Sequence, residues 1–185
     1  MINRMTEEKR KRNISEVNSL AYDDFIAIFG NVVEHCALCA AVVWGDRPFR
    51  NYGEMQSKFN EFIEQLPLSG KSGVLRLYPD LAGKLAQSNS LTSESTREHA
   101  SAGLDKMTEE EREKMSKLNT KYREKFGFPF VICARENKKE AILFGLERRL
   151  NNSVEVEANT GTNEVKKICN LRLKDLVDEH SVAKL

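Results

Sequence analysis

The stretch LRLYPDLAGKL, residues 75–85, places a tyrosine directly before a proline, followed by an acid and a glycine. Pro79 fixes its own φ and biases Tyr78 towards an extended conformation, and Gly83 can close a turn three residues after Asp80. The pattern predicts a short rigid helical turn that presents Tyr78, whose phenol can donate a proton. The alternative is that Tyr78 is an ordinary core aromatic.

A second candidate site lies in LTSESTREHASAGL, residues 91–104. Ser95 and Glu98 have the spacing of a capping box, which would make Glu98 a structural residue at a helix start. If the helix instead begins at Thr92 or Ser93, Glu98 lies inside it and the capping explanation fails. Ser95 would then share a helix face with Glu98 or His99, and these side chains could meet a polar ligand.

Arg172 continues an apolar helical stripe near the end of the chain. A buried guanidinium needs an anion or several carbonyls, because an unpaired buried charge costs far more than burial of the side chain gains. Two interpretations follow, a salt bridge within the core or an anionic ligand such as a carboxylate or ureide, which suits the planar fork of donors. The other members of the stripe are Val165, Ile168, Cys169 and Leu176.

Other common chemical sites have no support. Cys36 and Cys39 form a CxxC within a predicted helix, and no second pair stands at zinc spacing, so no metal site is expected. The sequence also lacks the glycine-rich nucleotide-binding motifs and the GxSxG of an α/β-hydrolase.

The composition indicates one soluble domain in a reducing compartment. The chain has 185 residues, 40% of them hydrophobic, and 29 basic residues against 28 acidic ones. Such a length supports a single core, and the balanced charge gives no global field for nucleic acid or anionic lipid. The four cysteines stand in apolar surroundings, and no apolar run approaches the roughly 20 residues that cross a bilayer.

The apolar periodicity predicts an all-α single-domain bundle. The clearest helix covers 107–126, with Thr108 and Glu111 spaced as a capping box. The segment 126–134, FGFPFVICA, cannot begin as a regular helix and is either a buried strand or a segment that crosses the core. A flexible connection is expected over 153–163. The other predicted helices cover 15–29 in one or two pieces, 31–44, 52–66, 93–103, 137–150 and 162–178.

The two ends are expected to be tails, residues 1–14 and 179–185, around a helical domain of 15–178. The run EEKRKR, residues 7–12, is typical of a solvated tail. The last three residues, Ala183, Lys184 and Leu185, differ from the peroxisomal signal Ser-Lys-Leu by one small-for-small change. They predict a peroxisomal location through an import receptor, with the cytoplasm as the alternative.

Several motifs together resemble one enzyme family. VNSLAYDDFIAIFGNVVE, AAVVWGDRPF, PDLAG, LTSES, FGFPFVICAR and EVKKICNLRL occur in the order and at the spacings of 2-oxo-4-hydroxy-4-carboxy-5-ureidoimidazoline (OHCU) decarboxylases. The resemblance covers about Ser15 to Val177. It implies an all-α fold of roughly eight helices, a homodimer, no metal or organic cofactor, and a small anionic ureidoimidazoline substrate of urate degradation.

The implied reaction is loss of CO2 followed by protonation on one face to give (S)-allantoin. Carried over by position, the family's acid falls on Glu98 and its arginine on Arg172. The segment at 130–134 would contribute backbone donors and acceptors in a dry site. The residues that the resemblance assigns to substrate binding are Pro79, Ser95, Thr96, Arg97, Glu98, His99, Phe130, Val131, Ile132, Cys133 and Ala134.

Two positions depart from the family pattern. Tyr78 stands where the family has the histidine regarded as its proton donor, and His99 stands where a glutamine usually follows the glutamate. A phenol has an unperturbed pKa near 10 against about 6.5 for imidazole, which makes Tyr78 a poorer donor at neutral pH. The sequence therefore predicts either a decarboxylase with altered acid chemistry, in which His99 takes part of the role, or an impaired member that binds ureides such as allantoin.

Overall fold

The computed structural model describes residues 10–83 and 91–183, and these residues form a helical protein. We number the α-helices in chain order. They are α1 (Ile14–Asn18), α2 (Tyr22–Phe29), α3 (Ala37–Gly45), α4 (Tyr52–Gln65), α5 (Leu68–Leu75), α6 (Ser93–Ser101), α7 (Glu109–Phe126), α8 (Lys139–Arg149) and α9 (Val154–Leu176), with 3₁₀ turns at Leu104–Lys106 and Ala134–Glu136.

The predicted all-α class is confirmed. Across the described ranges the only β-type pairing consists of two isolated bridges, Arg12 with Val177 and Asn51 with Val182. None of the described helices is long and apolar enough to cross a membrane. The chain groups into two compact units: unit 1 contains the residues up to Gln65 and those from Cys169 onward, and unit 2 contains Leu66–Ile168. The single domain over 15–178 stays a prediction.

Unit 1 has a core of aliphatic and aromatic side chains. Phe25 and Phe29, one helical turn apart on α2, are fully buried with ring centroids 4.6 Å apart. Arg47 contributes by closing the neighbouring loop, because its guanidinium donates to the carbonyls of Asn18 and Leu20 and lies over the Trp44 ring. The two-piece helix expected at 15–29 is thereby confirmed as α1 and α2.

Unit 2 is organised around α7. Thr108 and Glu111 form the predicted capping box, and Gly127 ends the helix with a φ of +73°. The buried stripe includes Tyr122 and Phe126, whose rings pack against each other with centroids 4.5 Å apart. The apolar segment that follows is neither helical nor paired as a strand, and Phe128, Phe130 and Val131 in it are buried, so of the two alternatives for 126–134 the segment that crosses the core is confirmed.

Two predicted elements were wrong. The helix expected at 31–44 begins only at Ala37, because the preceding loop turns through His35, which has a φ of +49°. The expected flexible connection at 153–163 is instead the start of α9. Its hydroxyl residues do not break the helix, since Thr160 and Thr162 donate to carbonyls four residues earlier. A Cβ at Gly161 would lie 2.8 Å from a Leu75 methyl, so a larger residue there would require the buried Leu75 side chain to move.

Some predictions fall outside the described ranges. These are the N-terminal tail before residue 10, the end of the 75–85 stretch at Lys84 and Leu85, and the last two residues of the terminal tripeptide, Lys184 and Leu185. Ala183 is described, and its N–H donates to the Arg50 carbonyl at 2.8 Å.

Candidate functional site

Unit 2 contains a partly open pocket whose empty space, including the solvent at its mouth, is about 310 Å³. Three stretches that are distant in sequence form most of its walls: the turn after α5, one face of α6, and the non-helical segment after α7, with Ile168 of α9 as a further contact. Most of the lining is apolar, and the ionisable side chains among it are Tyr78, Glu98 and His99. The lining residues are Tyr78, Pro79, Leu81, Ser95, Glu98, His99, Phe130, Val131, Ile132, Ala134 and Ile168.

The first wall is the turn at 78–83, which is closed as predicted but is not helical, because Ala82 lies in the left-handed region with a φ of +51°. Tyr78 is largely buried, and its N–H donates to the Leu75 carbonyl at 3.2 Å. The Gly83 N–H closes the turn on the Asp80 carbonyl at 3.1 Å, and a Cβ at Gly83 would lie 2.8 Å from the Asp80 Cβ. The glycine is therefore needed for the turn that holds Tyr78 at the pocket.

Two residues of α7 hold this turn from the other side. Arg123 Nε donates to both carboxylate oxygens of Asp80, at 2.8 and 2.9 Å. The buried Asn119 amide donates to the Leu81 carbonyl at 3.0 Å. An amide that replaces water on a buried carbonyl avoids the cost of an unsatisfied polar group, so Asn119 stabilises the turn in one position.

The second wall is the face of α6. Thr92 caps the helix, with its hydroxyl oxygen accepting from the Ser95 N–H at 3.2 Å, so the helix begins at Ser93. Glu98 consequently lies within the helix and the capping-box explanation for it does not hold. Ser95, Glu98 and His99, at positions i, i+3 and i+4, are all buried and line the pocket, as the helical spacing predicted.

The third wall is the segment at 130–134, which runs into the 3₁₀ turn at Ala134–Glu136. Phe130, Val131 and Ala134 line the pocket with almost no solvent exposure, while Ile132 is half-buried. Its main chain is held by two charged side chains: Arg149 Nη1 donates to the Val131 carbonyl at 2.8 Å, and the Cys133 N–H donates to Glu164 Oε2 at 2.9 Å.

Three predicted substrate-binding residues do not line the pocket. Thr96 is exposed and donates its hydroxyl hydrogen to the Thr92 carbonyl at 2.9 Å. Arg97 is also exposed, where its Nε donates to the Ser93 carbonyl at 3.3 Å. Cys133 is buried, and burial raises the pKa of its thiol to about 11, so it stays protonated near neutral pH. Their role in binding stays a prediction.

Arg172 lies in unit 1, where it forms the internal salt bridge that was one of its two interpretations. Its Nη1 donates to Glu34 Oε2 at 2.7 Å and to the Asn31 carbonyl at 2.9 Å. Both charged side chains are almost fully buried. A contribution of Arg172 to substrate binding stays a prediction.

Sequence reasoning missed several residues of the site. Leu81 and Ile168 line the pocket, and both stand within the quoted motifs PDLAG and EVKKICNLRL. Asn119, Arg149 and Glu164 support the walls through hydrogen bonds to main-chain groups 18 to 38 residues away along the chain. Nothing local in the sequence marks such long-range contacts.

No cluster of three or more His, Cys, Asp or Glu side chains suited to a metal ion occurs within the described portions of the chain. The groups available for chemistry in the pocket are thus a carboxylate, an imidazole, a phenol and a hydroxyl. Together with an apolar surround, these can bind a small polar ring and exchange one proton with it.

Comparison with known proteins gives this site a context. The family model described as OHCU decarboxylase matches residues 18–174. The 2-oxo-4-hydroxy-4-carboxy-5-ureidoimidazoline decarboxylase of Amia calva is 47% identical over 165 residues, which cover 89% of this chain and 94% of that protein. The enzyme of the same name from Mus musculus is 46% identical over 166 residues, covering 90% and 93%.

Solved structures agree on the fold. A crystal structure of an OHCU decarboxylase in the presence of (S)-allantoin has a TM-score of 0.64 with 19% identity, covering 83% of this chain and 96% of that one. A crystal structure of (S)-allantoin synthase has a TM-score of 0.72 with 21% identity, covering 90% and 54%. From the family match over most of its length and from relatives of this identity and coverage, we conclude that the chain belongs to the OHCU decarboxylase family.

Proposed function

We propose that this chain is a carboxy-lyase that converts OHCU to (S)-allantoin in the degradation of urate. The observation that carries the proposal is the pocket of unit 2, which brings an acid, Glu98, together with two proton-bearing side chains, Tyr78 and His99, in an apolar surround. Membership of the family supplies the substrate class, because relatives matched over nearly their whole length are named for this reaction.

The reaction has two steps, loss of CO2 and protonation of the ring carbon. The bond from the ring carbon to its carboxylate breaks, CO2 leaves, and the electron pair stays on the ring as a carbanion or enolate. A proton must then be added on one face only to give a single enantiomer. The Glu98 carboxylate can accept hydrogen bonds from the hydroxyl or ureido group and orient the ring, and the apolar walls strengthen these contacts by excluding water.

Of the two proton donors, His99 has the side chain that is chemically better suited to give up a proton near neutral pH. An imidazole ordinarily titrates near pH 6.5 and a phenol near pH 10, so at neutral pH the imidazole transfers a proton with the smaller free-energy cost. Tyr78 lines the same pocket and can hydrogen-bond the ring. The proposal therefore assigns proton delivery to His99 and orientation of the substrate to Tyr78 and Glu98.

The activity is tested by generating the unstable substrate in situ from urate and following the optical signal of (S)-allantoin. The wild-type protein is expected to exceed the spontaneous rate, and Glu98→Gln to lose a large part of the acceleration. Glu124→Gln, the same change at an exposed position of α7, is the matched control and should retain it. A wild-type rate equal to the spontaneous one would overturn the proposal.

The proton donor is tested by three further variants. Loss of a general acid typically costs about 10² to 10⁴ in rate, so His99→Gln is expected to fall by that factor and Tyr78→Phe by much less. The reverse order would assign the proton to Tyr78. If only Tyr78→His is fast, the chain is the impaired member that binds ureides. (S)-Allantoin at 100 times its Kd should then stabilise the protein by about 2.7 kcal/mol.

We also propose that the chain is peroxisomal and dimeric. The terminal tripeptide, of which Ala183 is described, is close to a peroxisomal signal. The support for a dimer is the family resemblance, and α3 exposes Leu38 and Val42, as an interface would require. A fluorescent protein fused at the N-terminus should enter peroxisomes and lose that location when the tripeptide is removed. Light scattering coupled to size exclusion should give twice the chain mass.

A further inference from the structure

Two peptide groups in the third wall of the pocket, the segment at 130–134, are held by charged side chains. Arg149, in the last turn of α8, binds the carbonyl of Val131, and Glu164 of α9 binds the N–H of Cys133. Hydrogen bonds that involve an ionised partner are about twice as strong as neutral ones. The main chain on either side of Ile132 is therefore fixed more firmly than an ordinary loop.

These two bonds also orient the groups between them. The peptide bonds flanking Ile132 are trans, so the N–H and C=O of each peptide point in opposite directions. With the Val131 carbonyl turned towards Arg149, the Ile132 N–H points away from Arg149. With the Cys133 N–H turned towards Glu164, the Ile132 carbonyl points away from Glu164. Ile132 itself lines the pocket.

Arg149 is immobilised by a buried network. Its Nε donates to Glu157 Oε1 at 2.7 Å, and its guanidinium lies 4.4 Å from the centre of the Phe130 ring. Glu157 is fully buried and also accepts from the Tyr122 hydroxyl and, at 2.7 Å, from the Asn152 amide. Because the planar guanidinium is held by these contacts, its hydrogen bond fixes the position of the Val131 carbonyl.

Stability alone does not explain this network. A buried ion pair is often no more stabilising than apolar side chains of similar volume, because both charges lose their hydration. The Arg149 network nevertheless spans α7, α8 and α9 and ends on the wall of the pocket. Glu164 is held by a more exposed pair, in which Lys167 Nζ donates to its other oxygen at 2.7 Å.

We propose that Arg149 and Glu164 are positioning residues of the decarboxylase, which fix the peptide groups around Ile132 for the substrate. They act through the main chain and do not touch the ring. The effect on catalysis rests on the proposed function. The claim that these side chains hold the pocket wall does not depend on it.

The kinetic test uses Glu164→Ala and Glu164→Gln, with Glu155→Ala, an exposed position of α9, as the control. Glutamine keeps an acceptor for the Cys133 N–H, so it should restore most of what alanine loses. We expect Glu164→Ala to lower kcat/KM about tenfold, which is the loss of one charge-assisted hydrogen bond, and Glu164→Gln to lower it less than threefold. A kcat/KM for Glu164→Ala equal to that of the wild type and of Glu155→Ala would overturn the proposal.

Arg149→Lys tests the other bond, with Arg148→Lys, an exposed neighbour, as the control. Lysine keeps the charge for Glu157 but lacks the planar fork that also reaches the Val131 carbonyl. We expect about a tenfold fall in kcat/KM, with far-ultraviolet circular dichroism unchanged. A melting temperature that falls while kcat/KM per folded protein stays at the wild-type value would reduce Arg149 to a purely structural residue and overturn its part of the proposal.

A third measurement separates this inference from the proposed function. Amide hydrogen exchange at Cys133, followed by nuclear magnetic resonance in the absence of substrate, should be at least tenfold faster in Glu164→Ala than in the wild type and unchanged in Glu155→Ala. Unchanged exchange in Glu164→Ala would overturn the positioning role, whatever the activity. If the wild-type protein has no decarboxylase activity but the variants show this exchange pattern, the proposed function is refuted, while the role of Glu164 in holding the pocket wall is supported.

Discussion

The two compact units each contain a buried arginine–glutamate pair, and the pairs differ in what surrounds them. In unit 1, Arg172 binds Glu34 and the Asn31 carbonyl in the loop before α3. In unit 2, Arg149 binds Glu157, which accepts further hydrogen bonds from two neutral side chains, and reaches the wall of the pocket. The same ion pair can thus secure a loop in one place and one wall of a pocket in another.

The largest expected effect is the loss of one partner from either pair. Arg149→Met and Arg172→Met each leave a buried carboxylate without its cation, which typically costs about 3–5 kcal/mol of unfolding free energy. Urea denaturation measures it, and Arg148→Met, at an exposed position, should stay within about 0.5 kcal/mol of the wild type. A change below about 1 kcal/mol at either pair would show that its carboxylate is not dependent on the arginine.

A smaller effect is expected at Tyr122, whose hydroxyl donates to Glu157. A hydrogen bond to a charged group contributes about 1.5–3 kcal/mol, so Tyr122→Phe should lower the free energy of unfolding by that amount. Phe126→Leu, a change of apolar shape in the same cluster, controls for packing. If Tyr122→Phe is neutral, the network around Glu157 is less cooperative than the geometry indicates.

Alkaline pH should destabilise both units through their buried thiols. Burial raises the pKa of Cys133 in unit 2 to about 11 and of Cys169 in unit 1 to about 12, above the ordinary value near 8.5. The stabilising contribution of each thiol is present below pH 8.5 and is lost as the pH rises towards the folded pKa. Each thiol should lower the free energy of unfolding by about 1.4 kcal/mol per pH unit in that range.

The measurement is urea denaturation at several pH values between 8 and 11. Cys133→Ala and Cys169→Ala should each make the decline shallower, and each by a similar amount. Replacement of Cys36, which is only half-buried, provides the comparison. A slope unaffected by either buried cysteine would contradict the assignment.

The smallest effect is expected at the partly exposed pair of unit 2, Arg123 and Asp80. Water screens these side chains, and such surface pairs typically contribute about 0.2–1 kcal/mol. Asp80→Asn should therefore change stability within that range while leaving the Gly83 closure of the turn in place. A fall in the free energy of unfolding above about 2 kcal/mol would show that this pair contributes as much as the buried pairs, and the difference between exposed and buried pairs would not hold.

The sequence alone predicted the parts of the site that depend on neighbouring residues. The turn at 78–83 follows from Pro79 and Gly83, and the shared face of Ser95, Glu98 and His99 follows from helical spacing once the start of α6 is known. These features depend on contacts within a few residues. Local reasoning is sufficient for them.

The missed features depend on contacts between distant residues. Arg149 follows another arginine in the last turn of α8, where basic residues commonly interact favourably with the helix dipole. Its neighbours in the sequence therefore do not indicate that it is buried. The start of α9 was misread because its threonines and its glycine are typical of loops, although their side chains fit the helix and Leu75. Tertiary packing overrides propensity at such positions.

The helix α9 also limits how the gene for this protein can change. Glu157, Gly161, Glu164 and Ile168 are spaced by four, three and four residues, and each has its own partner or place in unit 2. One inserted or deleted codon within this stretch would rotate every following side chain by about 100° and shift it by about 1.5 Å. A substitution affects one of these contacts at a time, whereas a change of length would displace both the partner of Arg149 and the acceptor for the Cys133 N–H in a single event.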